Sequence, residues 1–196
     1  MRARDNPFRS DRLLAVRYRL QEGTWDGLFA RFEALGRRAA IVGPQGSGKT
    51  TLLEDLAPRF RDRGYAVREL RLDAESPSFP EPFLEDFLAS LGPRDLILLD
   101  GAEQLGRGAW STFERRSRAA AGLLVTLHRP GRLPTLLETR TSRELLDGLV
   151  GEILEDRAGE VRGLTAPLFE KHAGNLREAL RELYDRYAAG LSGPGR

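Results

Sequence analysis

Apolar positions recur along the chain in two rhythms. Trp25, Leu28, Phe29, Phe32 and Leu35 fall at the spacing of one helical face and predict a helix over 25–35. The short apolar run 39–42 predicts a buried strand that ends in a glycine-rich segment. Leu52, Leu53, Leu56 and Phe60 form the next helical stripe, over 50–63, and Gly64 closes it. A mixed apolar–polar segment at 65–72 predicts a second strand. The prolines Pro77, Pro80 and Pro82 mark 73–82 as loop, and a helix follows over 81–91, closed by Gly92-Pro93. Residues 96–99 are continuously apolar, as expected of a parallel strand covered on both faces. A helix over 109–121, a buried strand over 123–127 and a fifth strand over 134–139 come next. Ser142 can cap a helix reaching about 155, and 164–189 is helical with a break at Gly174.

Strand and helix thus alternate from 39 to 139, the pattern of an α/β domain with a mostly parallel central sheet flanked by helices. The expected layout is an arm and helix over 1–36, a core over 37–141, a small helical, lid-like region over 142–190 and a loose tail over 191–196. The fifth strand poses a topological problem. Only about five residues precede it, whereas a parallel crossover normally takes a dozen or more. Either it runs antiparallel, or an extended segment replaces the usual crossover helix.

Composition narrows the class. A 196-residue chain with 40% hydrophobic and 31% charged residues can bury a real core. It has no cysteine, so no disulfide or thiolate metal site is available. No apolar run approaches the ~18 residues of a membrane span, so no membrane insertion is expected. The charged start MRARDNPFRSDRLL lacks an apolar signal region. These features suit the cytoplasm. A net charge of +2 does not by itself argue for nucleic acid. The cations are uneven: lysine occurs only at Lys49 and Lys171, and the rest of the 31 basic residues are arginine. That bias reads first as genome composition, because the arginines mostly alternate with Glu and Asp on solvated helix faces.

The chemistry concentrates at Gly43-Pro44-Gln45-Gly46-Ser47-Gly48-Lys49-Thr50, which satisfies the Walker A pattern G-x-x-x-x-G-K-[ST]. The glycines let the backbone turn its N–H groups inward as an anion nest, and the helix that follows adds its positive end. Lys49 supplies a point charge for the β- and γ-phosphates. The Thr50 hydroxyl is placed to ligate magnesium, and Thr51 completes the nucleotide-contacting stretch. One of the chain's two lysines fills the one slot that needs it. Asp100 ends the apolar run 96–99 and fits Walker B, where the carboxylate holds magnesium through water. The cofactors expected are therefore ATP and Mg2+. No Asn-Lys-x-Asp element is present to read guanine.

With these motifs the chain resembles the additional-strand P-loop ATPases of the AAA+ and STAND type. Its N-terminal half looks most like the ExeA/TniB/TnsC-like bacterial ATPases, which also begin with an Asn-Pro-Phe element, here Asn6-Pro7-Phe8, then a helix, then the P-loop. Ala173-Gly174-Asn175-Leu176-Arg177 resembles the sensor 2 motif of an AAA+ lid, which implies that Arg177 reaches the γ-phosphate. Thr126 and His128 end the fourth strand, where a sensor 1 residue would sit. The resemblance implies ATP hydrolysis tied to conformational change, a protein or DNA partner, and assembly as a homo-oligomer. In an oligomer, Arg115, Arg116 or Arg118 is a candidate trans finger, although surface charge is the simpler reading.

The chain departs from that family at one place. The family carries Asp-Glu after the Walker B strand, and Gly101 stands in the Glu slot. Two carboxylates offer themselves as the water-positioning group. Glu103 lies three residues beyond Asp100, and Glu75 lies in Asp73-Ala74-Glu75, similar to the Asp-Ala-Glu of RecA-type recombinases. If neither reaches, a nucleotide-binding switch with little turnover results. A small-molecule kinase of the nucleotide type is the other alternative, since such kinases share the P-loop and the size.

Overall fold

The computed structural model describes residues 6–8, 17–154 and 163–189. The remainder of the expected N-terminal arm, the end of the helix expected to reach 155, and the tail lie outside the described residues. Two compact units are present, one formed by Arg19–Gly43 and Lys49–Thr139, the other drawing on Met1–Tyr18, Pro44–Gly48 and Arg140–Arg196.

The larger unit holds α1 (Trp25–Ala34), β1 (Arg38–Val42), α2 (Lys49–Asp62), β2 (Ala66–Arg71), α3 (Glu81–Ala89), β3 (Asp95–Asp100), α4 (Arg107–Arg116), β4 (Gly122–Leu127) and β5 (Thr135–Glu138). The strands form one sheet in the order β2-β3-β4-β1-β5, with every pairing parallel. Position in the sheet explains the sequence pattern. β1, β3 and β4 are covered on both faces and read as apolar runs. β2 lies at an edge, and of its residues only Leu70 is buried. The expected 109–121 helix divides into α4 and a separate 3-10 turn at Ser117–Ala119.

The fifth strand is parallel, and its register shows how a short connection manages the crossover. Thr135 pairs with Ala40, which on its other side pairs with Val125, two residues before the end of β4. Because β5 is short and sits at the carboxyl end of the sheet, the connection has to retrace only about two residues, or ~7 Å, while crossing two strand spacings of ~4.8 Å. The segment 128–134 spans that through a series of bends, without a helix.

Aromatic packing fixes α1 on α2: the Phe29 and Phe32 rings meet Phe60 edge-on at 4.9 and 5.2 Å. The Thr24 hydroxyl caps α1 by accepting from the Gly27 N–H. α2 continues past Pro58, which lies on its exposed side. Trp25 carries the Arg59 guanidinium over its ring at 4.2 Å.

The smaller unit contains α5 (Arg143–Leu154), α6 (Thr165–Lys171) and α7 (Leu176–Ala188). The Ser142 hydroxyl accepts from the Leu145 N–H at the start of α5, as its sequence position predicts. The break between α6 and α7 falls where the backbone turns left-handed at Ala173 and Gly174. Asn175 then caps α7 through the Glu178 N–H. Leu146, Val150, Leu168, Leu176 and Leu183 are the core. The Asn-Pro-Phe element joins it: the Asn6 amide donates to the Tyr184 carbonyl, and Phe8 packs edge-on against Tyr187 at 5.1 Å. Across the outside, Lys171 and His172 of the α6 end meet the Glu182 carboxylate, and Arg186 joins it from the next turn of α7. His172 is half-buried in this clasp.

The hydrogen bonds from Lys171, Arg186 and His172 hold the Glu182 carboxyl down to about 2, against the pull of its partial burial. A folded-state value below the unfolded one means that the clasp stabilises fully above the ordinary carboxylate range and loses its effect as pH falls toward 2. Glu182→Gln should therefore lower the thermal midpoint at pH 7 by about 2–4 °C. Its melting curve should converge on that of the wild type as pH drops from 5 to 2, a trend that circular dichroism melts over this range would read.

Gly101 has its own constraint. Its backbone is left-handed, with φ +81°, and an added Cβ would lie 2.1 Å from the Leu72 carbonyl oxygen. That carbonyl cannot retreat easily, because the Leu72 N–H is tied to the Asp100 carbonyl at 2.9 Å. Gly101→Ala should cost about 2–4 kcal/mol in urea denaturation, the sum of left-handed strain and overpacking. Gly101→Glu, which restores the family's expected carboxylate, should be no more stable.

Candidate functional site

The loop after β1 has the form its sequence predicts. Gly46 and Gly48 adopt positive φ, +74° and +85°, and the Ser47 hydroxyl donates to the Pro44 carbonyl at 2.8 Å, bracing the turn. Within the same unit the α7 start closes on this loop. A Cβ at Gly46 would meet the Asn175 side-chain oxygen at 1.9 Å and the Arg177 N–H nitrogen at 3.3 Å. The Tyr18 ring lies against Gly48, 3.4 Å from where its Cβ would be, and burial pushes the Tyr18 hydroxyl pKa upward. Nothing larger than glycine fits at Gly46.

In the larger unit, Lys49 is buried at the first turn of α2 and its ammonium donates to the Gly43 carbonyl at 2.7 Å. One residue on, the Thr50 hydroxyl donates to Asp100 Oδ2 at 2.8 Å. The other oxygen, Oδ1, accepts from the Thr126 hydroxyl at 2.6 Å, and Thr126 in turn accepts from the Gly101 N–H at 2.8 Å. The Arg71 guanidinium stands 3.9 Å from Asp100. The Thr50–Asp100 separation suits a magnesium ion. Adjacent oxygens around an octahedral ion with bonds of ~2.0–2.1 Å lie about 2.9 Å apart. Among the described residues no group of three or more His, Cys, Asp or Glu forms a metal cage.

The structure separates the remaining candidates. Thr126 is buried and committed to Asp100 and the Gly101 backbone. His128, two residues on, is partly exposed, and its Nε2 lies 3.2 Å from Glu103 Oε1. Glu103 sits in a 3-10 turn at Ala102–Gln104. Glu75 lies in an exposed loop, its N–H donating to the Asp73 carboxylate. Arg177 follows the Asn175 cap and is exposed. Pro44 and Gln45 are exposed on the loop, and Thr51 is half-buried in the first turn of α2. Of the arginine-finger candidates, Arg116 pairs with Glu85 and Arg118 with Glu114. Periodicity and motif spacing gave no warning of Arg132. Its guanidinium donates to the carbonyls of Ala102 and Leu105 and carries the Trp110 ring at 5.1 Å.

No protein-family model matches the chain, and no curated protein matches it. Solved structures do. An arginine-to-alanine variant of RuvB from Thermotoga maritima superposes with a TM-score of 0.59 at 15% identity, covering 89% of this chain and 65% of that one. The RuvB Holliday junction branch migration motor of the same organism gives a TM-score of 0.54 at 15% identity, with coverages of 87% and 64%. Domain III of the T. maritima replication initiation protein DnaA gives a TM-score of 0.57 at 17% identity and covers 90% of both chains. The chain thus spans just under two thirds of the length of the RuvB structures and the same share of the DnaA domain as of itself. At these identities the likeness speaks for the fold alone, a five-stranded parallel sheet flanked by helices.

Proposed function

We propose that this protein binds MgATP and hydrolyses it, coupling the cycle to conformational change on a macromolecular partner as an AAA+/STAND-like ATPase. The observation that carries the reading is the junction of Thr50 with Asp100 directly after the Walker A loop. The loop N–H groups and the α2 N-terminus would receive the phosphates. Lys49 would exchange its Gly43 carbonyl for phosphate oxygens, and Thr50 and Asp100 would hold the ion. Magnesium, when bound, supplies charge neutralisation across the β- and γ-phosphates. Arg177 and Asn175, beside the loop at Gly46, are the groups through which nucleotide would act on the helical region.

The docking of Asn6 and Phe8 on α7 supports an ExeA/TniB/TnsC-like relationship, since it gives that element a structural task. The names carried by RuvB and DnaA make duplex DNA, met by a homo-oligomer, the partner to try first. The AAA+ fold favours this reading over the nucleotide-type kinase.

Binding of a fluorescent ATP analogue and steady-state MgATP hydrolysis, each with and without duplex DNA, test the proposal. Lys49→Ala should weaken binding at least tenfold and reduce hydrolysis to background. Wild-type binding and hydrolysis no greater than those of Lys49→Ala would sink it.

A further inference from the structure

We propose that Glu103, held by His128, is the carboxylate that activates water, displaced two residues along the chain from the slot that Gly101 occupies. This rests on the ATPase reading above. The usual slot is closed by geometry, because any side chain at Gly101 would run into the Leu72 carbonyl. Asp100 is taken up by the ion in the reading above, and each of its oxygens also accepts from a threonine hydroxyl.

Glu103 is prepared differently. Its turn is fixed at both ends. Gly101, before it, donates to Thr126, which is anchored on β4, and the Gln104 N–H closes back on the Gly101 carbonyl at 3.0 Å. Arg132 clamps the carbonyls of Ala102 and Leu105 on either side. On this rigid support Oε1 lies 3.2 Å from His128 Nε2, whereas Oε2 is buried with no hydrogen-bond partner among the described residues. A buried, unpaired carboxylate oxygen is costly, and such cost tends to be kept where it serves function. The group stands beyond the carboxyl ends of β3 and β4, the edge at which α/β sheets bind ligands. Thr50 and Asp100 stand at the same edge. Glu75, the rival, has neither rigidity nor burial.

In the step, a water oxygen bonds to the γ-phosphorus and the bond from phosphorus to the β–γ bridging oxygen breaks. That electron pair leaves on ADP. Glu103 accepts the water proton and later yields it to phosphate or solvent. His128, whose Nε2 lies 3.2 Å from Oε1, acts as a positioning residue that holds the carboxylate in place.

Glu103→Gln should lower kcat at least a hundredfold while leaving the affinity for MgATP within about twofold. Nucleotide recovered with this variant after gel filtration should be ATP, whereas the wild type yields ADP. Glu103→Ala should not lower the thermal midpoint of the nucleotide-free protein, since it removes an unsatisfied oxygen. His128→Ala should cut kcat about tenfold at unchanged affinity, and His128→Gln, which keeps a donor, should recover part of it. Glu75→Gln should turn over normally. Near-wild-type turnover by Glu103→Gln overturns the proposal and leaves the ATPase reading standing. A wild type that binds ATP without hydrolysing it overturns the proposal through the wild-type trace alone. A wild type that does not bind removes the nucleotide reading itself. Loss of fold in Glu103→Ala would show the residue to be structural and would also overturn it.

Discussion

The Asp100 carboxylate gathers three segments of the larger unit at one point. It ends β3, takes a hydrogen bond from the first turn of α2 through Thr50, and takes another from β4 through Thr126. An ionised carboxylate only accepts, so each oxygen selects a donor, and both donors here are short hydroxyl side chains with little freedom. The Thr126 hydroxyl spends its hydrogen on Asp100 and its lone pair on the Gly101 N–H. That second bond fixes the direction in which the chain leaves β3. Everything beyond, the left-handed turn at Gly101 and the 3-10 turn carrying Glu103, follows from it.

The same node explains why glycine stands where a second carboxylate is expected. β2 and β3 stay paired through the Leu72–Asp100 backbone bond, which joins the residue after β2 to the last residue of β3. The Leu72 carbonyl is thereby presented to the residue after Asp100, and a left-handed glycine turns past it. A longer pairing of β2 with β3 and a side chain at 101 are mutually exclusive. The sheet edge has the first, and position 101 therefore carries no carboxylate.

How much of this could be read from the chain depends on the range of the interactions concerned. The buried strands β1, β3 and β4 were legible because central parallel strands are apolar on both faces, and α1 and α2 because their stripes are local. The Walker A loop was legible because its residue types are demanded by phosphate geometry within eight positions. Ser142 and the break at Gly174 obeyed local capping rules. The crossover to β5 could not be decided, since it depends on register: the strand begins level with Ala40, and no pattern in 128–134 encodes that. Thr126 and His128 could be picked out as strand-end polar groups, but their separate tasks rest on partners in other segments. Arg132 carries no motif at all, and its role exists only once the 102–105 turn is in place.

The P-loop sits under a similar long-range constraint from the helical unit. Asn175 serves two partners: its side-chain oxygen caps the Glu178 N–H and also occupies the space where a Cβ at Gly46 would project. The cap cannot be moved without moving the first turn of α7, and α7 carries the Tyr184 carbonyl and Tyr187 ring on which Asn6 and Phe8 rest. A phosphate entering the loop must share the Gly46 region with this helix end, whose free N–H groups favour negative charge. Any adjustment there acts on a helix whose inner face is packed with Leu176, Ala179, Leu183 and Tyr187. A packed helix of this kind moves as a body more readily than it bends. The loop at Gly46 and the Asn6–Phe8 element are therefore tied to one and the same helix, the first through Asn175 at its start, the second through Tyr184 and Tyr187.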